Sequence, residues 1–266
     1  MNPPDFRLDD RVALVTGAAS GIGRGIALGL AASGADVACF DLAGPALDDV
    51  VAEIAATGRH ALAAPGDVTD PDSLADAVAR TESVLGPLTL AVNSAGIANA
   101  APAEEMLLEQ WQRVVDVDYT GVFLSCQAEA RVMLPRGRGA IVNIASISGL
   151  RASTLRVAYG TSKAALIQLT KQQAVELGTV GIRANVIAPG PVETEMAKLV
   201  HSVAIRSDYH DVIPLERYGT VQEIASAVGF LCSPAASYVN GQVLAVDGGF
   251  EAAGVGLPTL RKTARG

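Results

Sequence analysis

The sequence predicts an α/β fold, a doubly wound parallel sheet with helices on both faces, and three observations carry that expectation. Short apolar runs alternate with longer helical patterns along most of the chain. The runs are apolar at successive positions, as in Val12-Ala-Leu-Val15, which suits strands buried on both faces. The first run breaks into glycines, Thr16-Gly17-Ala-Ala-Ser20-Gly21-Ile22-Gly23, before a helical pattern begins. Alternation of this kind marks βαβ units with right-handed crossovers. In such sheets ligands gather at the carboxyl ends of the strands, so residues there are the candidates for function.

Taken in order, Gly17, Gly21 and Gly23 let the backbone turn tightly and bring a pyrophosphate to the helix N-terminus and its free N–H groups, with Ser20 and Ile22 in the same loop. The fold expected is thus of Rossmann type. The helix closes at Ser33-Gly34, where glycine supplies a left-handed cap. The second strand ends on Asp41, about twenty residues past the glycines, where a carboxylate accepts hydrogen bonds from an adenosine ribose. Its charge repels a 2′-phosphate and Leu42 brings no cation, so NAD is expected over NADP.

The pattern continues as helix over 45–57, strand over 60–64, helix over 72–85 and strand over 88–92. Asp67 and Val68 follow the third strand. Asp67 reads either as an Asx turn or cap leading to Pro71, or as a carboxylate facing an adenine amino group, and its position favours the second. Asn93-Ser-Ala95-Gly96 follows the fourth, small enough for the backbone to pass close to a flat ligand. One long helix is expected over 109–134, with Trp111 and Tyr119 packed in the core rather than on a cofactor. Asp116 and Asp118 on that helix point to different faces and make no acid/base pair.

A strand over 140–144 leads to Ser146, and a helix over 157–178 carries Tyr159 and Lys163 at i and i+4, on one face and one turn apart. An isolated tyrosine keeps its proton to about pH 10, but a neighbouring ammonium favours the phenolate. Tyr159 can then act as a general acid/base, and Ser146 can donate a hydrogen bond to the same substrate oxygen. A last strand over 182–187 ends in the rigid turn from Ala188 to Thr194, again on the ligand edge.

Composition bounds the rest. The chain has 266 residues, half of them hydrophobic and 18% charged, enough for a sizeable core, and no linker divides it. One domain over 1–250 is expected, with an extension over 251–266 that reads equally as an arm over a neighbouring subunit or a frayed tail. A net charge of −8 speaks against a nucleic-acid surface. Met1-Asn-Pro-Pro-Asp-Phe-Arg7 lacks the regions of a signal peptide, and no apolar stretch reaches membrane-spanning length, so a cytoplasmic location is expected. Cys39, Cys126 and Cys232 read as buried thiols in a reducing compartment. His60, His201 and His210 have no metal-ligand spacing, so no metal is expected.

On these residues the chain, from about Leu8 to Phe250, resembles the short-chain dehydrogenase/reductase family. Thr16-Gly17-x-x-x-Gly21-x-Gly23 is similar to its cofactor loop, Asn93-Ser-Ala-Gly96 to its N-N-A-G element and Tyr159-x-x-x-Lys163 to its catalytic pair. Ser146 falls at its catalytic serine. Pro189-Gly190, with Val192 and Thr194, resembles the turn that holds the nicotinamide carboxamide, and the resemblance also implies that Lys163 binds the nicotinamide ribose. One departure stands out: Asp118 occupies a position where the family usually has asparagine, whose backbone carbonyl holds a water of the proton relay.

The resemblance implies hydride transfer between NAD and a secondary alcohol or ketone. The 157–178 helix carries more apolar residues than one sheet-facing stripe can use and the central helix is similarly broad, so a homo-oligomer built through these helices is expected, a tetramer by the resemblance. The wording is nearest to sugar-alcohol dehydrogenases, which makes Ser148, Ser153 and Arg156 candidates for binding substrate hydroxyls. The segment from Met196 to Tyr218 is where specificity should lie. Two other readings stand beside this one: a 3-oxoacyl-thioester reductase, against which Asp41 counts, and a non-catalytic dinucleotide sensor, which would have no use for Ser146, Tyr159 and Lys163.

Overall fold

Hydrogen bonding joins seven strands into one all-parallel sheet, in the order β3-β2-β1-β4-β5-β6-β7, in a computed structural model that describes residues 5–263. Met1–Pro4, at the head of the segment read for a leader, and Arg265 of the extension lie outside the described residues. The strands are β1 (Val12–Thr16), β2 (Asp36–Asp41), β3 (Ala61–Pro65), β4 (Leu88–Asn93), β5 (Gly139–Ile144), β6 (Ile182–Pro189) and β7 (Val243–Val246). Because successive side chains leave opposite faces, Ala13 and Val15 of β1 enter one core and Leu14 the other. Burial on both sides is why these strands read as unbroken apolar runs.

Helices α1 (Gly21–Ala32), α2 (Pro45–Ala56) and α9 (Val221–Cys232) pack Ile26, Leu30, Val50, Ile224 and Val228 into the first core. Helices α3 (Pro71–Val84), α5 (Gly121–Met133) and α6 (Val157–Gly178) pack Leu74, Val78, Val122, Met133, Leu166 and Ile167 into the second. Between β6 and α9 lie α7 (Glu195–Val200) and α8 (Val203–Val212). The ends of α3 and α9 are set by local chemistry. Asp70, not Asp67, caps α3 by accepting the Asp72 N–H, with Pro71 in the first turn, and Thr220 and Glu223 form a reciprocal capping box on α9.

The single long helix expected over 109–134 is interrupted. It consists of α4 (Leu108–Val115), a π-helical turn over Asp116–Thr120, and α5, with the Gly121 N–H reaching back to the Asp116 carbonyl. A π turn inserts one residue without breaking the helix axis, so the apolar pattern changes too little to reveal it. Trp111 and Tyr119 are half-buried rather than core: α4 buries only Val114, and the π turn buries Val117 and Asp118 instead. No helix among the described residues is long and apolar enough to cross a membrane. All three cysteines are free and buried.

The second core contains a polar cluster that the sequence did not announce. The Asn93 amide donates to Glu129 Oε2 (3.1 Å) and to Asn143 Oδ1 (3.0 Å), and the Asn143 amide donates to Thr170 Oγ1 (2.9 Å). Burial pushes the Glu129 carboxyl up to about 7, against which the Asn93 bond acts weakly. Between the ordinary carboxylate value and about 7 the folded chain therefore keeps a proton that the unfolded chain releases, and stability falls as pH rises through that window. Glu129→Gln should abolish this slope. Urea denaturation at pH 5 and pH 8 should show wild type losing on the order of 3 kcal/mol more than the variant; equal losses would mean Glu129 is ionised throughout.

Candidate active site

At the carboxyl edge of the sheet the tips of β1 and β4 are tied by one side chain. Thr16 Oγ1 accepts the N–H groups of Ser94 (3.1 Å) and Ala95 (3.3 Å). The backbones approach so closely that a Cβ on Gly17, whose φ is +71°, would lie 2.8 Å from Ala95 Cα, and one on Gly23 would lie 2.0 Å from the Gly17 carbonyl oxygen. Only glycine fits this crossing. Ser20, the residue preceding α1, makes no side-chain cap, so the first N–H groups of the helix are left to whatever lies beyond them.

Beyond them is a cavity of ≈ 720 Å³, within the size range of small-molecule sites. One end is lined by the glycine loop, Gly17 and Ser20 through Gly23, together with Asp41, Asp67 and Val68. Asp41 accepts the N–H groups of Ala19 (2.9 Å) and Leu42 (2.8 Å). The only cation in this wall close in sequence to the glycines, Arg24, is ion-paired with Glu53. Asp67 makes the Asx turn considered for it, accepting the Thr69 N–H (2.9 Å) and hydroxyl (2.8 Å), which hold its carboxyl below the usual range while it still lines the cavity. These residues fit a dinucleotide: uncapped N–H groups for phosphate, and carboxylates for ribose and base.

The other end is lined by Ala95, Gly96, Asp118, Ser146, Tyr159, Lys163, Pro189, Gly190 and Thr194. Ser146 is buried and its Oγ accepts the Ser148 N–H (3.1 Å), capping a short 3₁₀ turn. Lys163 is buried as well. Its ammonium donates to the Ile144 carbonyl (3.1 Å), lies 3.2 Å from Asp118 Oδ2 and 5.6 Å from the centroid of the Tyr159 ring. Asp118 sits on the π turn with Oδ1 accepting the Ile97 N–H (2.7 Å). The Gly190 N–H bonds the Val246 carbonyl (3.0 Å), and Thr194 caps α7.

Five expected site residues are not in this lining. The Asn93 side chain turns into the buried polar cluster, and Val192 belongs to the first core. Ser148 and Ser153 bond each other through their hydroxyls (2.8 Å), and Arg156 donates to the Asn99 carbonyl (3.2 Å). Arg113 and Glu195 line the cavity and were missed, since neither α4 nor the start of α7 carries a motif that marks them, while Met196 opens the segment reserved for specificity.

Over the segment reserved for specificity, His201 Nδ1 meets the Tyr218 hydroxyl (2.9 Å), Arg206 pairs with Glu193, and the Arg206 guanidinium lies 4.5 Å from the centroid of the Tyr218 ring. No group of three or more histidine, cysteine or acidic side chains among the described residues could hold a metal. The extension folds back on its own chain: helix α10 (Pro258–Thr263) places Arg261 against the Asp211 carbonyl (2.9 Å) and Glu216 (3.1 Å).

Comparison with known proteins agrees with this arrangement. A family model described as enoyl-(acyl carrier protein) reductase matches residues 17–251. Galactitol 2-dehydrogenase (L-tagatose-forming) of Cereibacter sphaeroides is 43% identical over 92% of this chain and 96% of its own length. A 3-oxoacyl-[acyl-carrier-protein] reductase of Synechocystis is 39% identical over 91% and 97%. The crystal structure of a gluconate 5-dehydrogenase from Burkholderia cenocepacia, in complex with NADP and tartrate, superposes with a TM-score of 0.90 at 36% identity, covering 94% of this chain and 98% of that one. What these define is an oxidoreductase acting on CH–OH groups with NAD(P) as acceptor. The chain belongs to the short-chain dehydrogenase/reductase family.

The crossing at the glycine loop gives a direct test. Gly23→Ala must push the loop off Gly17, so titration with the dinucleotide by fluorescence should show affinity reduced at least about tenfold, the equivalent of roughly 1.4 kcal/mol. Wild-type affinity would show that the loop does not carry the ligand.

Proposed function

We propose that this protein is an NAD-dependent dehydrogenase of a secondary alcohol, with polyols or sugar alcohols as the substrate class. The observation that carries the reading is that Ser146, Tyr159 and Lys163 line the same cavity as the glycine loop and Asp41. When bound, the nicotinamide supplies a hydride acceptor. Tyr159 takes the hydroxyl proton of the alcohol while Ser146 donates a hydrogen bond to the same oxygen, and Lys163 favours the phenolate and binds the nicotinamide ribose. Asp41 receives the adenosine ribose and disfavours a 2′-phosphate, which supports NAD although the Burkholderia relative was solved with NADP. The galactitol relative supports the polyol class; the Synechocystis relative supports a second reading, reduction of a 3-oxoacyl thioester.

Residues 1–250 are read as one domain. Phe123 of α5 and Ala164 and Val175 of α6 are exposed apolar residues, which supports a homo-oligomer, a tetramer by the family resemblance. Free buried thiols support a cytoplasmic location.

The test is a panel of polyols, other secondary alcohols and 3-oxoacyl thioesters, assayed with NAD(H) and NADP(H). The expected outcome is a higher kcat/KM with NAD and a polyol. Preference for NADPH and a thioester would favour the second reading. On the best substrate, Tyr159→Phe should lower kcat by about 10²–10⁴ while NAD still binds. Turnover near wild type would remove Tyr159 as the base.

A further inference from the structure

Asp118 puts a carboxylate against the ammonium that the proposed chemistry depends on. It is fully buried, at 0% exposure, and Lys163 is 4% exposed. Asp118 Oδ1 is used by the Ile97 N–H, whereas Oδ2 faces Lys163 Nζ at 3.2 Å without accepting a well-directed hydrogen bond. Oδ2 therefore acts on Lys163 chiefly as a charge. A Cβ on Gly96 would stand 3.1 Å from Oδ2 and 3.4 Å from Nζ, so the glycine leaves room for the pair to meet. The other ionisable groups in the cavity wall are Arg24, Asp41, Asp67, Arg113 and Glu195. None of them bonds Lys163 or Tyr159, and Arg24 and Asp67 are engaged with Glu53 and Thr69.

We propose that Asp118 is a positioning residue that offsets the charge of Lys163 and so raises the pH at which Tyr159 becomes a phenolate. The proposal rests on Tyr159 being the proton acceptor argued above. Beside the half-buried Tyr159, a buried ammonium alone favours the phenolate. With a carboxylate in contact, the ammonium presents a dipole, whose field falls off faster with distance, and the advantage to the phenolate shrinks. Asparagine at this position would keep the Oδ1 that accepts the Ile97 N–H and remove only the charge.

The experiment is Asp118→Asn, read first without turnover. Ultraviolet titration of tyrosinate in the protein without dinucleotide, taken as the difference from the matching Tyr159→Phe protein, isolates Tyr159. In Asp118→Asn that signal should develop at a pH lower by about one unit, and the acid limb of kcat/KM for alcohol oxidation should move the same way. Coincident titrations, even with a lowered melting temperature, would overturn the proposal and leave Asp118 a purely structural residue. A shift to higher pH would also overturn it. Asp118→Ala, which removes the same charge, carries the same expectation if the asparagine variant does not fold. Failure of the underlying reading is separate: it appears as turnover retained in Tyr159→Phe, whatever the titration shows.

Discussion

The ammonium of Lys163 has been taken out of water, and the carboxyl edge of the sheet is arranged to hold it. A buried charge is tolerated only when it is paired or well hydrogen-bonded. Here the partners come from three places: the Ile144 carbonyl at the end of β5, Asp118 on the π turn between α4 and α5, and the face of Tyr159 one turn back on α6. Each partner brings its element to a fixed position. Ser146 just past β5 and Tyr159 on α6 are thereby placed in one wall, so the chemistry proposed for them depends on the same contacts that make burial of the lysine possible.

The opposite end of the cavity is governed by close approach rather than by charge. Thr16 ties β1 to β4, and the crossing at Gly17 and Gly23 leaves the start of α1 facing the cavity with its N–H groups uncapped. Asp41, held by the Ala19 and Leu42 N–H groups, and Asp67, held by the Thr69 N–H and hydroxyl, line the same cavity as that positive end of the helix. The glycine loop and the residues around Lys163 share this one cavity, with Gly17 packed against Ala95.

Much of this was readable from the amino acids because it rests on local regularities. Strands buried on both faces leave unbroken apolar runs, glycine is the only residue for the tight crossing, and i, i+4 spacing put Tyr159 and Lys163 together without any knowledge of the fold. What escaped depends on contacts between distant segments. Pairing of Asp118 with Lys163, and of Asn93 with Glu129, requires knowing which helix lies over which strand. The π turn escaped because one inserted residue barely disturbs the helical pattern. The bond between the Ser148 and Ser153 hydroxyls, and that from Arg156 to the Asn99 carbonyl, likewise depend on the fold.

A crystal structure of the protein grown with NAD measures the central claim most directly. The diphosphate should lie on the N–H groups of Gly21 to Gly23, the adenosine ribose on Asp41, and the nicotinamide beside Tyr159 and Lys163. A dinucleotide bound in the reverse sense or outside this cavity, or a nicotinamide beyond reach of the Tyr159 hydroxyl, would contradict it.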